Sequence, residues 1–122
     1  MANESDWTIV FYLDSNGDSP VEDFVDQLDK KTQARLLWSL EQLRLRNIRA
    51  HAPLVRQIDG KLWELREESR TNIYRVFYFF YTGRQIVLLH GFQKKSQKTP
   101  RREIVTAQNR LNDFVARMEG ED

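Results

Sequence analysis

The chain has 122 residues, no cysteine, and 19 lysines and arginines against 18 aspartates and glutamates. That length fits a single domain over 1–122, able to bury roughly two-thirds of its unfolded surface, and the absence of cysteine excludes disulfide frameworks, zinc–thiolate sites and thiol nucleophiles. The near-neutral total hides a separation: every charge from Glu4 to Asp29 is acidic and every charge from Arg84 to Arg102 is basic, so the second stretch suits a polyanionic partner.

In chain order, Trp7 to Leu13 is rich in β-formers and stops at the turn cluster Asp14-Ser-Asn-Gly-Asp, which predicts a strand. Ser19-Pro20-Val21-Glu22 then supplies a cap, a proline for the first helical position and a glutamate three residues on. Val21, Phe24, Val25 and Leu28 continue it at helical spacing. Asp29 caps a second helix from Lys30 to Arg46, with Leu36, Leu37, Leu40 and Leu43 as its apolar stripe and Trp38 and Leu45 beside it. The short junction implies a helical hairpin.

Three strands in a meander follow. Lys61 to Glu67 alternates, Trp63 and Leu65 facing one way and Leu62, Glu64 and Arg66 the other. Ile73 to Tyr81 is apolar on both faces, as in a covered central strand. After the Thr82-Gly83 turn, Gln85 to Phe92 pairs back. Thr99-Pro100 opens a last helix with Ile104, Ala107, Gln108, Leu111, Phe114, Val115 and Met118 along one side. The expected fold is α+β: an antiparallel sheet with an N-terminal helical hairpin and a C-terminal helix, β-α-α-β-β-β-α. The longest apolar run, Val76 to Tyr81, is too short to span a bilayer, and Met1 to Val10 lacks a signal-peptide pattern. A cytoplasmic protein without a membrane partner is expected.

The two histidines, His51 and His90, lie in different segments without companion ligands, so no metal and no cofactor are expected. No glycine-rich phosphate loop is present. Arg75 stands out in the apolar strand Tyr74-Arg75-Val76-Phe77-Tyr78, where a guanidinium is costly unless it is paired or faces a cleft. Arg66 ends the preceding strand, and a meander sets the two side by side. Together they would clamp a phosphate, unless Glu64, Glu67 or Glu68 pairs with them. From His90 the chain runs through Phe92, Lys94, Lys95 and Lys98 to a helix start near Arg101, a site that favours anions. Phe92 or Trp63 offers a surface on which a base can stack.

Lys61-Leu-Trp-Glu-Leu-Arg66, Tyr74-Arg-Val-Phe-Tyr78 and Leu88-Leu-His-Gly-Phe-Gln-Lys-Lys-Ser-Gln-Lys-Thr-Pro100 resemble the RelE/ParE superfamily of bacterial toxins, most nearly its phage-derived, HigB-like branch. The resemblance covers nearly the whole chain. It implies a toxin of a type II toxin–antitoxin pair that cleaves mRNA in the ribosomal A site and is neutralised by a helix-turn-helix antitoxin. Carried over, it implies catalytic roles for Arg66, Arg75, Lys94 and Lys95. His90 joins Lys94 and Lys95 as a proton-transfer candidate, and Trp63, Phe92, Lys98 and Arg101 are candidates for RNA binding. The RelE subgroup has lysine near the position of Glu64, where this chain departs. A ParE-like gyrase poison, which shares the fold but usually lacks the basic set, and a decayed toxin that only binds its antitoxin or nucleic acid are the alternatives.

Overall fold

The computed structural model describes residues 7–46, 55–94 and 99–120. Its elements are β1 (Thr8–Phe11), α1 (Pro20–Asp26), α2 (Lys30–Arg46), β2 (Val55–Asp59), β3 (Leu62–Ser69), β4 (Asn72–Tyr81), β5 (Gln85–Lys94) and α3 (Arg101–Glu119). The α+β class and both helix starts agree with the sequence. Ser19 Oγ accepts the Glu22 amide at 3.2 Å, and Asp29 Oδ1 accepts the Thr32 amide at 2.8 Å. Each bond satisfies an amide that the first helical turn leaves open.

Two expectations about the sheet need correction. The strand order is β1-β5-β4-β3-β2, and β1 runs parallel to β5, pairing Thr8 with Gln85 through Phe11 with Leu88. The sheet is therefore mixed, with only its other three pairings antiparallel. Between β1 and β5 lie the whole helical hairpin and three strands, so no tight turn dictates their direction. The second correction is β2, a strand that the sequence pattern does not announce. Val-Arg-Gln-Ile-Asp has two apolar residues, one for each side of the sheet, and a register shift between Gln57 and Asp59, so it shows no alternation.

The sheet is covered on both faces. Against α1 and α2 pack Leu65, Val76, Tyr78, Ile86 and Leu88, joined by Val21, Val25, Leu36, Leu40 and Leu43. Against α3 pack Leu62, Phe77, Phe79, Val87 and Leu89, joined by Ala107 and Phe114. Leu37, Trp38 and Leu45, expected in or beside the α2 stripe, are exposed instead, as is Met118 on α3. The α1 layer lies so close to β5 that a Cβ on Gly91 would collide with the Phe24 ring, which leaves glycine as the residue that fits.

β5 carries an irregularity that decides which way its last side chains point. Phe77 pairs with His90 while Tyr78 pairs with Leu88, so Leu89 is an extra residue. A bulge of this kind reverses the alternation beyond it. Leu89 and Phe92 consequently lie in the same core, on the α3 side. Without the bulge, His90, Phe92 and Lys94 would point toward α1.

Candidate nucleic-acid interface

Three rows of side chains cross the α3 side of the sheet near the ends of β2 to β5. Arg56, Glu64, Phe77 and His90 make the first row, Arg66, Arg75 and Phe92 the second, and Glu68, Ile73 and Lys94 the third. Strand alternation and the β5 bulge put all of them on one face. The register sets Arg66 directly opposite Arg75.

Arg75 and Glu64 are each 1% exposed. Glu64 Oε1 forms an ion pair with Arg75 Nη1 at 2.5 Å and accepts a 2.9 Å hydrogen bond from Arg56 Nε. One carboxylate oxygen thus serves two guanidiniums, one buried and one at the surface, since the Arg56 side chain is 58% exposed. The pairing compensates for burying the Arg75 charge. It does so incompletely: among the described residues Glu64 Oε2 and both Nε and Nη1 of Arg75 are buried without a hydrogen-bond partner, the 2.5 Å contact being an ion pair outside hydrogen-bond geometry. Arg66 is half-buried and pairs with Glu68 at 3.2 Å.

Lys94 is 4% exposed, and its Nζ donates to Thr99 Oγ1 at 3.0 Å. Burial, and next the Arg75 guanidinium, draw its pKa down to about 8, with Glu64 opposing the fall and Arg56 adding to it. This ammonium can release a proton near neutrality, which an ordinary lysine cannot. Across the three rows, Arg56, Arg66, Arg75 and Lys94 face Glu64 and Glu68, so the patch carries an excess of positive charge.

His90 has a partner on each ring nitrogen. Nε2 lies 2.7 Å from Glu103 Oε1, and Nδ1 lies 3.1 Å from Arg110 Nη1. A guanidinium only donates, so Nδ1 accepts and Nε2–H donates to the glutamate. Burial is the main cause of a pKa below the ordinary histidine value, with Arg110 also lowering it and Glu103 raising it. Both nitrogens are thus engaged in tying α3 to the sheet.

The expected RNA-binding set is only partly gathered. Phe92 belongs to the face but is buried, edge-to-face with Phe77 and stacked with His90 at 5.5 Å. Trp63 is on the opposite face, packed on Phe80 at 5.8 Å, because alternation along β3 separates it from Arg66. Arg101 is exposed at the start of α3. Lys95 and Lys98 lie outside the described residues. Arg56 is absent from the sequence-based set because its strand shows no pattern. The Asp59-Gly60-Lys61 turn was the available signal, since a hairpin there folds Arg56 back onto Glu64. A surface groove of about 610 Å³, lined by Leu62, Gln108, Asn112 and Val115 among others, includes none of the four cations.

The family model for "Phage derived protein Gp49-like (DUF891)" matches residues 23–112. Two curated relatives, both named "Probable endoribonuclease HigB1", come from Mycobacterium tuberculosis strains CDC 1551 / Oshkosh and ATCC 25618 / H37Rv. Each is 33% identical over 85 residues, spanning 70% of this chain and 66% of the relative. The match therefore falls just short of two-thirds of the relatives' length.

Proposed function

The chain belongs to the Gp49-like family of phage-derived proteins, HigB-like chains of the RelE/ParE kind, and on that premise we propose that it is the toxin of a type II toxin–antitoxin pair, acting as a ribosome-dependent mRNA endonuclease. The observation that carries the reading is the cation patch on the α3 side of the sheet. Arg66 and Arg75 lie in register there, and Lys94 titrates near neutrality beside them.

Cleavage without a catalytic metal requires a proton removed from the 2′-hydroxyl, cations for the phosphorane charge and a proton for the departing 5′-oxygen. The 2′-oxygen attacks its own phosphorus, the bond from phosphorus to the 5′-oxygen breaks, and a 2′,3′-cyclic phosphate and a 5′-hydroxyl result. In this reading the 2′-hydroxyl proton passes to solvent water, Arg66 and Arg75 supply positive potential, and the Lys94 ammonium protonates the 5′-oxygen. Lys95 follows as a further cation. His90 supports the site by holding α3, since both its nitrogens are taken. In this reading the ribosome presents the message. A helix-turn-helix antitoxin is the neutralising partner.

Inducing the chain alone should arrest bacterial growth, and primer extension on a translated message should show cuts within codons that naked RNA does not show. Equal cutting of naked RNA, or a DNA-damage response without mRNA cleavage, would overturn the reading.

A further inference from the structure

We propose that Glu64 is the positioning carboxylate of the RNA site and that Arg56, which it holds through the oxygen it also offers to Arg75, is an RNA-binding residue at the mouth of the cluster. Both roles presuppose the RNA-cleaving function proposed for the chain. Charge poses the problem that they solve. Arg75 is buried to 1% exposure, so an incoming phosphate meets other cations first. Arg56 is the guanidinium of this group with the most exposed side chain, at 58% against 35% for Arg66 and 1% for Arg75.

Its geometry is set for the task. Nε is committed to Glu64 Oε1 at 2.9 Å, and among the described residues no partner takes the two terminal amino groups. A long, flexible side chain is thereby held by one end with its remaining donors available, which lowers the entropy lost when it grips a phosphate. Glu64 is neutralised by Arg75 as well as Arg56, so it adds little repulsion toward an anion. Its own placement follows from β3 alternation, which directs it beneath Arg56 on β2 and beside Phe77 on β4.

The test is fluorescence anisotropy with a short single-stranded RNA made uncleavable by 2′-deoxy substitution, titrated at several salt concentrations. Arg56→Ala should melt like the unaltered chain, weaken binding about tenfold, as expected for one charge-assisted contact, and reduce the salt slope by roughly 0.7, the share of one phosphate on a single strand. Glu64→Gln should weaken binding similarly. The double variant should bind no worse than either single one, because Glu64 acts through Arg56. Unchanged affinity and slope in Arg56→Ala overturn the inference even if Glu64→Gln proves too unstable to measure. Additive losses in the double variant overturn the positioning role. Failure of the unaltered chain to bind RNA likewise overturns the inference, whereas the ribosome-dependent reading fails only if growth arrest and cuts in translated message are absent.

Discussion

Arg75 faces Glu64 inside the sheet, so removing its side chain would leave a buried carboxylate with Arg56 as its one remaining guanidinium. A buried pair broken on one side costs about 3–5 kcal/mol. Arg75→Ala should therefore melt on the order of 10 °C lower, at a few degrees per kcal/mol, and a thermal scan checks this directly. A melt like that of the unaltered chain would mean that the pairing contributes nothing to stability and that Arg75 serves the patch alone. Lys94 is the opposite case. Its folded pKa of about 8 lies below the ordinary 10.5, so the unfolded chain binds the proton more tightly between those values. The buried ammonium is destabilising below pH 8, and that cost is relieved as pH rises toward 10.5. Lys94→Met should melt higher than the unaltered chain at pH 7 and lose cleavage. If the ammonium is the acid, cleavage should fall tenfold per pH unit above about 8, and a rate that rises through 8 would make Lys94 a base instead.

At the scale of elements, α3 is held by two polar clusters as well as by Ala107 and Phe114. One is the Glu103–His90–Arg110 chain. In the other, Tyr12 Oη donates to Asp113 at 2.6 Å, Arg117 also pairs with Asp113, and Arg110 and Arg117 lie over the Tyr12 ring. The clusters titrate in separate windows. His90 has its pKa lowered in the fold, so its contribution is present above the unfolded value near 6.5 and fades as pH falls below it. Asp113 is lowered mainly by the Tyr12 hydrogen bond and then by Arg117, so its contribution fades only below the ordinary 3.8. Melting temperature should consequently decline between pH 7 and 5.5, and His90→Gln should flatten that decline. A decline of the same steepness in the variant would assign it to another group.

For the molecule as a whole, the separation of charge along the chain becomes only in part a separation in space. The acidic Glu22, Asp23 and Asp26 sit exposed on α1, which packs on one side of the sheet, while Arg56, Arg66, Arg75 and Lys94 lie on the other. α2, packed on the same side as α1, exposes Lys30, Lys31 and Arg35, so the net charge of +1 conceals a local cation cluster on the α3 side without making the opposite side negative. Association with RNA should accordingly weaken with salt far more than the net charge alone would suggest.

The amino-acid sequence determined what depends on neighbours along the chain. The caps at Ser19 and Asp29, the helical hairpin, the two-faced apolar β4 and the meander that sets Arg66 against Arg75 all follow from side-chain period and local hydrogen bonding. Tertiary structure decided what depends on residues far apart. The parallel pairing of β1 with β5 required an edge that exists only once the meander has formed. The Leu89 bulge turned His90, Phe92 and Lys94 onto the arginine side, while β3 alternation left Trp63 behind on the other. Glu64, Glu67 and Glu68 were all within reach of the two arginines along the chain. Registry and burial assigned Glu64 to Arg75 and Glu68 to Arg66, because a charge removed from water must take the partner that the sheet places within hydrogen-bond distance.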